Sequence, residues 1–480
     1  MTAPPRSPGS GAVAAIDLGA TSGRVVLGTI EDGIVGIEVL HRFANVPTET
    51  PDGLHWNVLG LFQGALDGLA ALIRDTGSVA SIGIDSWGVD YGLMQRGRLL
   101  GNPFHYRDER NGAGVEAVHQ SIGPAELYQH NGLQFLPFNS LYQLTVDLVE
   151  GALDAADGFL LIPDLFNYWL TGEQRCEATN ASTTGLLSHD RMAWDSDLAE
   201  RLGLPLGLLP PLIQPGELIG PTLPHVTSTI GAAQPVDVVT VGSHDPASAV
   251  AVVPMEASNA AYISCGTWGL VGVEVERPIR TEESRAANFT NEGGVDGRVR
   301  FLHNVTGLWL LNESIRTWES TGESVDLESL LGAAQRETSP VAVFDANDAE
   351  FLPPGDMPQR IADHCRARDL PVPATKAEYA RSIVESLAAA FAAAVRTAAE
   401  LSGVEVRTVH LVGGGSLNAL LCQLTADRVG LEVLAGPVEA TAIGNVLVQA
   451  RAAGHLDGDL DRLRTVVASS VPLKRYSPRR

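Results

Sequence analysis

The chain has 480 residues, with 57 acidic against 33 basic side chains and a net charge of −24. That length holds two or three domains with full cores, and 45% hydrophobic with 6% aromatic residues is the composition of a globular enzyme. An acidic balance of this size argues against nucleic acid or an anionic membrane as a partner.

Residues 1–11 are rich in Pro, Ser and Gly, lack the apolar run of a signal peptide, and read as a flexible tail. The apolar run from Val13 to Ile16 reads as a buried strand ending at Asp17. Gly19 to Gly23 make a tight turn of small residues, and Arg24 to Ile30 read as the returning strand. This is either an ordinary hairpin with an Asp at its mouth or an anion cradle of backbone N–H groups and the hydroxyls of Thr21 and Ser22. In a phosphate cradle, Asp17 would hold a divalent cation through water.

Asn57 to Thr76 carries helical spacing in Leu59, Phe62, Leu66, Leu69 and Ile73. Ala80 to Asp85 reads as a strand, Ser86 to Asp90 as a turn, and Tyr91 to Leu100 as a hairpin. Trp87, Gly88 and Asp90 therefore stand at a strand end, where α/β sheets bind ligands. Gly88 would let a ligand approach the backbone and Asp90 would accept from hydroxyls; the alternative is a buried Trp on a structural turn. Asn102 to Asn111, polar and aromatic, is either a pocket wall or a salt-bridged loop. Val236 to Val241 reads as a strand leading into His244-Asp245-Pro246. Asp245 before Pro246 opens a helix, so it is either the N-cap or a general base kept ionised by the positive helix end.

Ala261 to Glu274 repeats the first layout: an apolar strand, a turn over Ser264 to Gly269, and a second strand, with Gly266 opposite Gly19. Two such units suggest a duplicated fold with a phosphate loop in each half. Asn288 to Asp296 reads as a polar, Gly-rich turn, and Val299 to Glu313 as an apolar run containing Asn304. Thr375 and Glu378 form a capping box for a long helix ended by Gly403. Glu385, Ser386 and Arg396 interrupt its apolar run, so it reads as core rather than a membrane span. At Thr408 to Leu421 a strand meets Gly413, Gly414 and Gly415 and a helix start, either a flat surface for a base or phosphate or a tight turn. The only lysines, Lys376 and Lys474, follow no Gly-rich loop, so there is no Walker A motif. Cys176, Cys265, Cys365 and Cys422 have no metal or disulfide spacing and read as reduced thiols of a cytoplasmic protein.

Seven motifs, in order, carry a resemblance: Ile16-Asp-Leu-Gly-Ala-Thr-Ser-Gly-Arg24, Gly83-Ile-Asp-Ser-Trp-Gly-Val-Asp90, His244-Asp-Pro246, Ser264-Cys-Gly-Thr-Trp268, Asn288-Phe-Thr-Asn-Glu-Gly-Gly294, Leu308-Trp-Leu-Leu311 and Val412-Gly-Gly-Gly415. Each is weak alone, and the ordered set resembles the FGGY carbohydrate kinases from about Val13 to the helix after Gly444. The resemblance implies an α/β fold of two actin-like (ribonuclease H-like) domains with an interdomain cleft. A sugar-binding domain would occupy 12–253 and a nucleotide-binding domain 254–480. ATP would be the donor and Mg²⁺ the cofactor. The acceptor would be a ketose phosphorylated at its 1-hydroxyl; members acting on L-rhamnulose stand closest, with L-fuculose and D-xylulose as alternatives.

By the same resemblance, Ala20, Thr21, Ser22, Gly23 and Arg24 would line the ATP phosphates and Asp17 would orient the metal. Gly88, Asp90, His244, Asp245 and Pro246 would face the sugar, with Asp245 as the base. Thr267, Asn304, Asn312 and the Gly413–Gly415 cluster would hold the nucleotide; Asn312 stands where relatives tend to carry Gln. A catalytically silent sugar- or nucleotide-binding regulator and an actin-like polymer former are the competing readings. The intact Asp17 and Asp245 count against the first, and the second leaves the sugar-side residues without a role. A cytoplasmic monomer or homodimer is expected.

Overall fold

The apolar runs of the sequence pair into two sheets of one plan. The computed structural model describes residues 11–188, 190 and 192–479, so the expected tail lies outside the described residues apart from Gly11. The chain divides into two units. The first takes the residues up to Pro254, then Glu276–Arg300 and Ala440–Ser470; the second takes Met255–Val275, Phe301–Glu439 and Val471–Arg480.

In the first unit, β1 (Val13–Leu18), β2 (Ser22–Glu31) and β3 (Ile34–Ala44) run antiparallel in sequence. β4 (Ser81–Ser86) lies parallel to β1. With β5 (Leu218–Pro221) and β6 (Asp237–Val239) the order is β5-β6-β4-β1-β2-β3, β6 parallel to β4 and β5 antiparallel to β6. The second unit holds β7 (Ala260–Cys265), β8 (Trp268–Val275), β9 (Val299–Thr306) from Phe301 on, β10 (Thr408–Val412), β11 (Glu432–Ala435) and β12 (Lys474–Tyr476). Their order is β9-β8-β7-β10-β11-β12. β8 is antiparallel to β7, β10 parallel to β7, β11 parallel to β10, and β12 antiparallel to β11. The echo between Gly19 and Gly266 thus belongs to whole sheets. β1 and β4 are buried along their full length, as parallel strands covered on both faces must be.

The helix Val58–Thr76 starts where Asn57 accepts from the Gly60 amide and stops at Gly77, with φ 79°. Its buried stripe runs through Val58, Leu61, Ala65, Leu69 and Leu72. Leu59, expected on that face, is 62% exposed, because the stripe passes through Val58 before it and Leu61 after it. In the second unit, Thr375 and Glu378 make the expected capping box for the helix Lys376–Ser402, and Gly403 ends it. That helix is long and apolar enough to cross a membrane, yet 61% of its most apolar window is buried within the fold, with Ile383, Leu387 and Phe391 fully enclosed.

The helix Ala440–Ala452 returns to the first unit and packs under β1, β2 and β4. Its buried polar side chains stitch the strands together: Gln449 Nε2 donates to the Ala14 carbonyl at 3.0 Å, and Asn445 Nδ2 to the Gly83 carbonyl at 3.2 Å. Gly444 permits its contact with the helix Asp245–Ala251, since a Cβ there would lie 2.0 Å from the Ser248 carbonyl oxygen. Gly444→Val is expected to destabilise by about 1–3 kcal/mol or more, the range for overpacking a close contact. Thermal denaturation of the variant, with turnover read alongside because the neighbouring helix begins at Asp245, checks this.

Candidate active site

Asp17 is the penultimate residue of β1, and its register partner on β2 is Arg24. The guanidinium reaches across the pair, placing Nε 2.9 Å and Nη2 2.5 Å from Asp17 Oδ2. Arg24, expected on phosphate, is thus also the countercharge of Asp17. The turn between them is braced from β3: Gly19 N donates to Ser22 O, Asn45 N to Thr21 O, and Asn45 Nδ2 to Gly19 O. Thr21 and Ser22 are exposed, as an anion cradle needs. Gly23 has a packing reason for its identity, because a Cβ would lie 2.3 Å from the Phe43 ring.

On the parallel neighbour β4, Asp85 is the register partner of Asp17. Asp85 is fully buried; Oδ2 accepts from Asn445 Nδ2 at 2.5 Å, and Oδ1 has no hydrogen-bond partner. Burial, then the charge of Asp17, push its pKa well above the ordinary carboxylate value. Among the described residues, the one group of His and acidic side chains close enough to share a cation lies elsewhere. It comprises Asp348, Glu350 and His364, and there Arg368 already faces both acids.

The turn after β4 corrects one expectation. Asp90 does not face a sugar; it is fully buried. Oδ2 accepts from Trp56 Nε1 (2.6 Å), Trp87 Nε1 (3.0 Å) and Tyr106 N (3.2 Å), and Oδ1 from Gln143 Nε2 (3.0 Å). Burial raises its pKa to about 7. Asp90 is the polar centre of an aromatic cluster, with Trp56 stacked on His105 at 4.0 Å and against Trp87 at 4.2 Å. Two indole N–H groups need a buried acceptor, and the Asp supplies it. Gly88 stays at the surface of this cluster: a Cβ would meet Thr183 Oγ1 at 2.9 Å and His244 Cδ2 at 3.3 Å. Val89 holds φ 67°, a conformation that costs a β-branched residue about 1–3 kcal/mol. Its amide takes Thr183 Oγ1, and its carbonyl accepts from Ser140 Oγ at 2.5 Å.

The loop after β6 is fixed by a residue that spacing did not single out. Glu177 is fully buried and accepts from Thr179 N, Thr179 Oγ1, Asn180 N, Ser243 N and Ser243 Oγ. Ser243 O in turn accepts from Ser86 N at 2.9 Å, which ties the loop to the end of β4. His244, not Asp245, is the N-cap of the helix Asp245–Ala251. Asp245 occupies the first helical position, and Pro246 behind it is buried. The Asp245 side chain keeps 34% exposure. Burial, then the charge of Asp17, raise its pKa to about 8, so the helix end does not hold it ionised as expected.

Behind His244 stands a second group that the sequence did not reveal. Arg300 is fully buried, with Nη2 3.0 Å from His244 Nδ1 and 3.1 Å from Glu292 Oε2. Glu292 lies in a buried strand, Thr290–Gly293, where a turn was expected. Leu302, two residues on and so on the same strand face as Arg300, is the one signal that this face is not a solvent face.

In the second unit, the turn Gly266-Thr267 is one residue shorter than Gly19-Ala20-Thr21, and Gly266 N donates to Trp268 O. Thr267 O accepts from Trp309 N at 3.2 Å, which sets the start of the helix Trp309–Ser320 against the turn. Asn312 is exposed on the first turn of that helix, and Asn304 sits half-buried in β9. Gly413 and Gly415 pack on Cys265: their Cβ atoms would lie 2.9 Å from its carbonyl oxygen and 2.4 Å from its Sγ. Only Gly414 of the three presents an open face. The structure therefore gathers Thr267, Asn312 and the glycine cluster about the β7–β8 turn.

Comparison with known proteins agrees with this construction. Residues 12–251 match the N-terminal domain and residues 261–453 the C-terminal domain of the FGGY family of carbohydrate kinases. A rhamnulokinase of Pectobacterium atrosepticum is 41% identical over 472 residues, covering 97% of this chain and 93% of its own. One of Bacteroides thetaiotaomicron is 39% identical over 469 residues, covering 97% and 95%. Among solved structures, gluconate kinase from Lactobacillus acidophilus superposes with a TM-score of 0.79 at 17% identity, covering 98% of this chain and 94% of that one. Plasmodium falciparum glycerol kinase with ADP gives 0.73 at 13% identity, covering 98% and 94%. Those two likenesses show the fold, which is the two-domain actin-like one, while identity over almost the whole length fixes the kinship. The chain belongs to the FGGY family of carbohydrate kinases and is an enzyme that phosphorylates a sugar.

Proposed function

We propose that the enzyme transfers the γ-phosphoryl group of ATP to the 1-hydroxyl of L-rhamnulose, giving L-rhamnulose 1-phosphate and ADP, with Asp245 as general base. The observation that carries the mechanism is Asp245 itself: a carboxyl at the first position of its helix, with an accessible edge and a pKa of about 8. A base with a pKa near the working pH takes a proton most effectively. The substrate assignment is supported by 41% identity to a rhamnulokinase over nearly the full length.

In the reaction, the sugar hydroxyl oxygen attacks the γ-phosphorus and the bond to the β,γ-bridging oxygen breaks. The hydroxyl proton passes to Asp245, and ADP leaves. His244 and Gly88 border the sugar. The Gly19–Arg24 turn and the Gly413–Gly415 loop, with Thr267, Asn304 and Asn312, hold the nucleotide, and backbone N–H groups do what a P-loop lysine does elsewhere.

Mg²⁺ fits the acidic group of the first unit. The charge of Asp17 raises both Asp85 and Asp245, and Asp85 Oδ1 is buried without a partner. Asp17 would hold the ion with these two carboxylates beside it, and the ion would neutralise phosphate charge.

ADP release with Mg-ATP across a ketose panel is expected to be fastest on L-rhamnulose; greater kcat/KM on L-fuculose or D-xylulose would reassign the substrate. Asp245→Asn should lose about 10²-fold or more in kcat, as loss of a general base does. That variant should keep its fold. The ionised form of Asp245 is disfavoured in the folded state, so its contribution to stability is full below pH 3.8 and is lost as pH rises to about 8. The melting temperature of Asp245→Asn should therefore gain on wild type across that window. The pH profile of kcat/KM should rise to a plateau above about 8, where Asp245 is ionised. Asp17→Asn removes a charge that raises the Asp245 pKa, so its acid limb should move to lower pH; an unmoved limb would dissociate Asp17 from the base.

A further inference from the structure

We propose that Arg300 fixes the tautomer of His244, so that the imidazole offers Nε2–H as its sole donor to the acceptor sugar. The proposal rests on the reading above that His244 faces the sugar.

The Arg300 guanidinium has no exposure, and its Nε donates to the Gly293 carbonyl at 2.9 Å. Its Nη2 lies 3.0 Å from His244 Nδ1. A guanidinium is always charged and has donors only. The nitrogen facing it must therefore present its lone pair, and a neutral imidazole then carries its one proton on Nε2. Burial lowers the His244 pKa, and the Arg300 guanidinium beside Nδ1 opposes a second positive charge on the ring.

Glu292 makes the choice a real one. Its Oε2 lies 3.4 Å from the same Nδ1 and would take a proton from it if Arg300 did not occupy the position. Arg300 binds Glu292 and His244 through one nitrogen, and so converts an acidic neighbour into an indirect support for the ε tautomer.

The Nε2 edge is the one that matters for the sugar. Nε2 is 3.9 Å from Asp245 Oδ1, outside hydrogen-bond reach. Gly88 borders the same edge, where a Cβ would lie 3.3 Å from His244 Cδ2. A donor there binds a hydroxyl or carbonyl oxygen and cannot take a proton from it. The roles next to the reacting hydroxyl are then separate: Asp245 accepts the proton and His244 only donates. A δ tautomer would place a second base beside Asp245 and lose the sugar bond. Arg300 is a positioning residue that acts through His244.

The test is ¹⁵N NMR of histidine-labelled full-length enzyme, with the His244 pair among the 12 histidines assigned by its loss in His244→Asn. Wild type should show a bare Nδ1 and a protonated Nε2. Arg300→Met should move the proton to Nδ1, raise the KM for L-rhamnulose about 10-fold as one hydrogen bond is lost, and leave the KM for ATP unchanged. Arg300→Lys, which keeps a donor and the charge beside Glu292, should restore the tautomer and most of the affinity. A protonated Nδ1 in wild type overturns the proposal even if Arg300→Met fails to fold. So does a folded Arg300→Met with an unchanged tautomer or sugar KM. Failure of the wild type to phosphorylate any ketose would instead remove the functional reading, and the spectrum would still decide the tautomer.

Discussion

The geometry of the loop that carries His244 and Asp245 depends on the Glu177 carboxylate. It lies inside the first unit and gathers the N–H and hydroxyl groups of two segments distant in sequence, Thr179-Asn180 and Ser243. Desolvation works against its charge, and the donors around it work for it. Each backbone donor left unpaired in such a place would cost about 1–3 kcal/mol. The loop consequently has one well-determined position, and it is the loop that carries His244 and Asp245. Ser243 extends the constraint to β4 through the Ser86 amide, so the ends of two parallel strands are set by one buried acid.

A second constraint is electrostatic. Asp17 and Asp85 are register partners on adjacent strands, and Asp245 follows the neighbouring loop, so three carboxylates share a poorly solvated region. Such crowding opposes folding and persists where function needs it. Here it is relieved by the Arg24 ion pair and by the Asn445 hydrogen bond, and it raises the pKa of both Asp85 and Asp245. The same crowding gives Asp245 its basicity.

Much of this was legible in the sequence. The β1–β2 hairpin, its echo at β7–β8, the capped helix after Thr375 and the loop at His244 all announce themselves through local periodicity, Gly placement and caps. The residues that escaped notice are those whose roles arise only when distant segments meet. Glu177 lies in an unremarkable Cys-Glu-Ala stretch, and Arg300 looks like an ordinary charge on a strand. Asn445 sits among small and apolar residues after Thr441. Asp90 misled for the opposite reason: its place at a strand end was right for a ligand, but the two indoles that claim it, Trp56 and Trp87, are brought together by tertiary packing. Cys265 likewise explains two glycines of a cluster that reads in the sequence as either a ligand surface or a tight turn.

The path of the chain has a consequence for how the enzyme is made. The segment that crosses beneath β1 and β4, Ala440–Ala452, is synthesised long after the strands it joins. A nascent chain can form the β1–β2–β3 meander early, since its contacts are local. It cannot satisfy the Ala14 and Gly83 carbonyls through Gln449 and Asn445 until 435 and 362 residues later. The half-built first unit therefore waits on the ribosome with an uncovered sheet face, a state that exposes it to chaperones and to aggregation. Enzymatic competence arrives only when the final helices leave the exit tunnel.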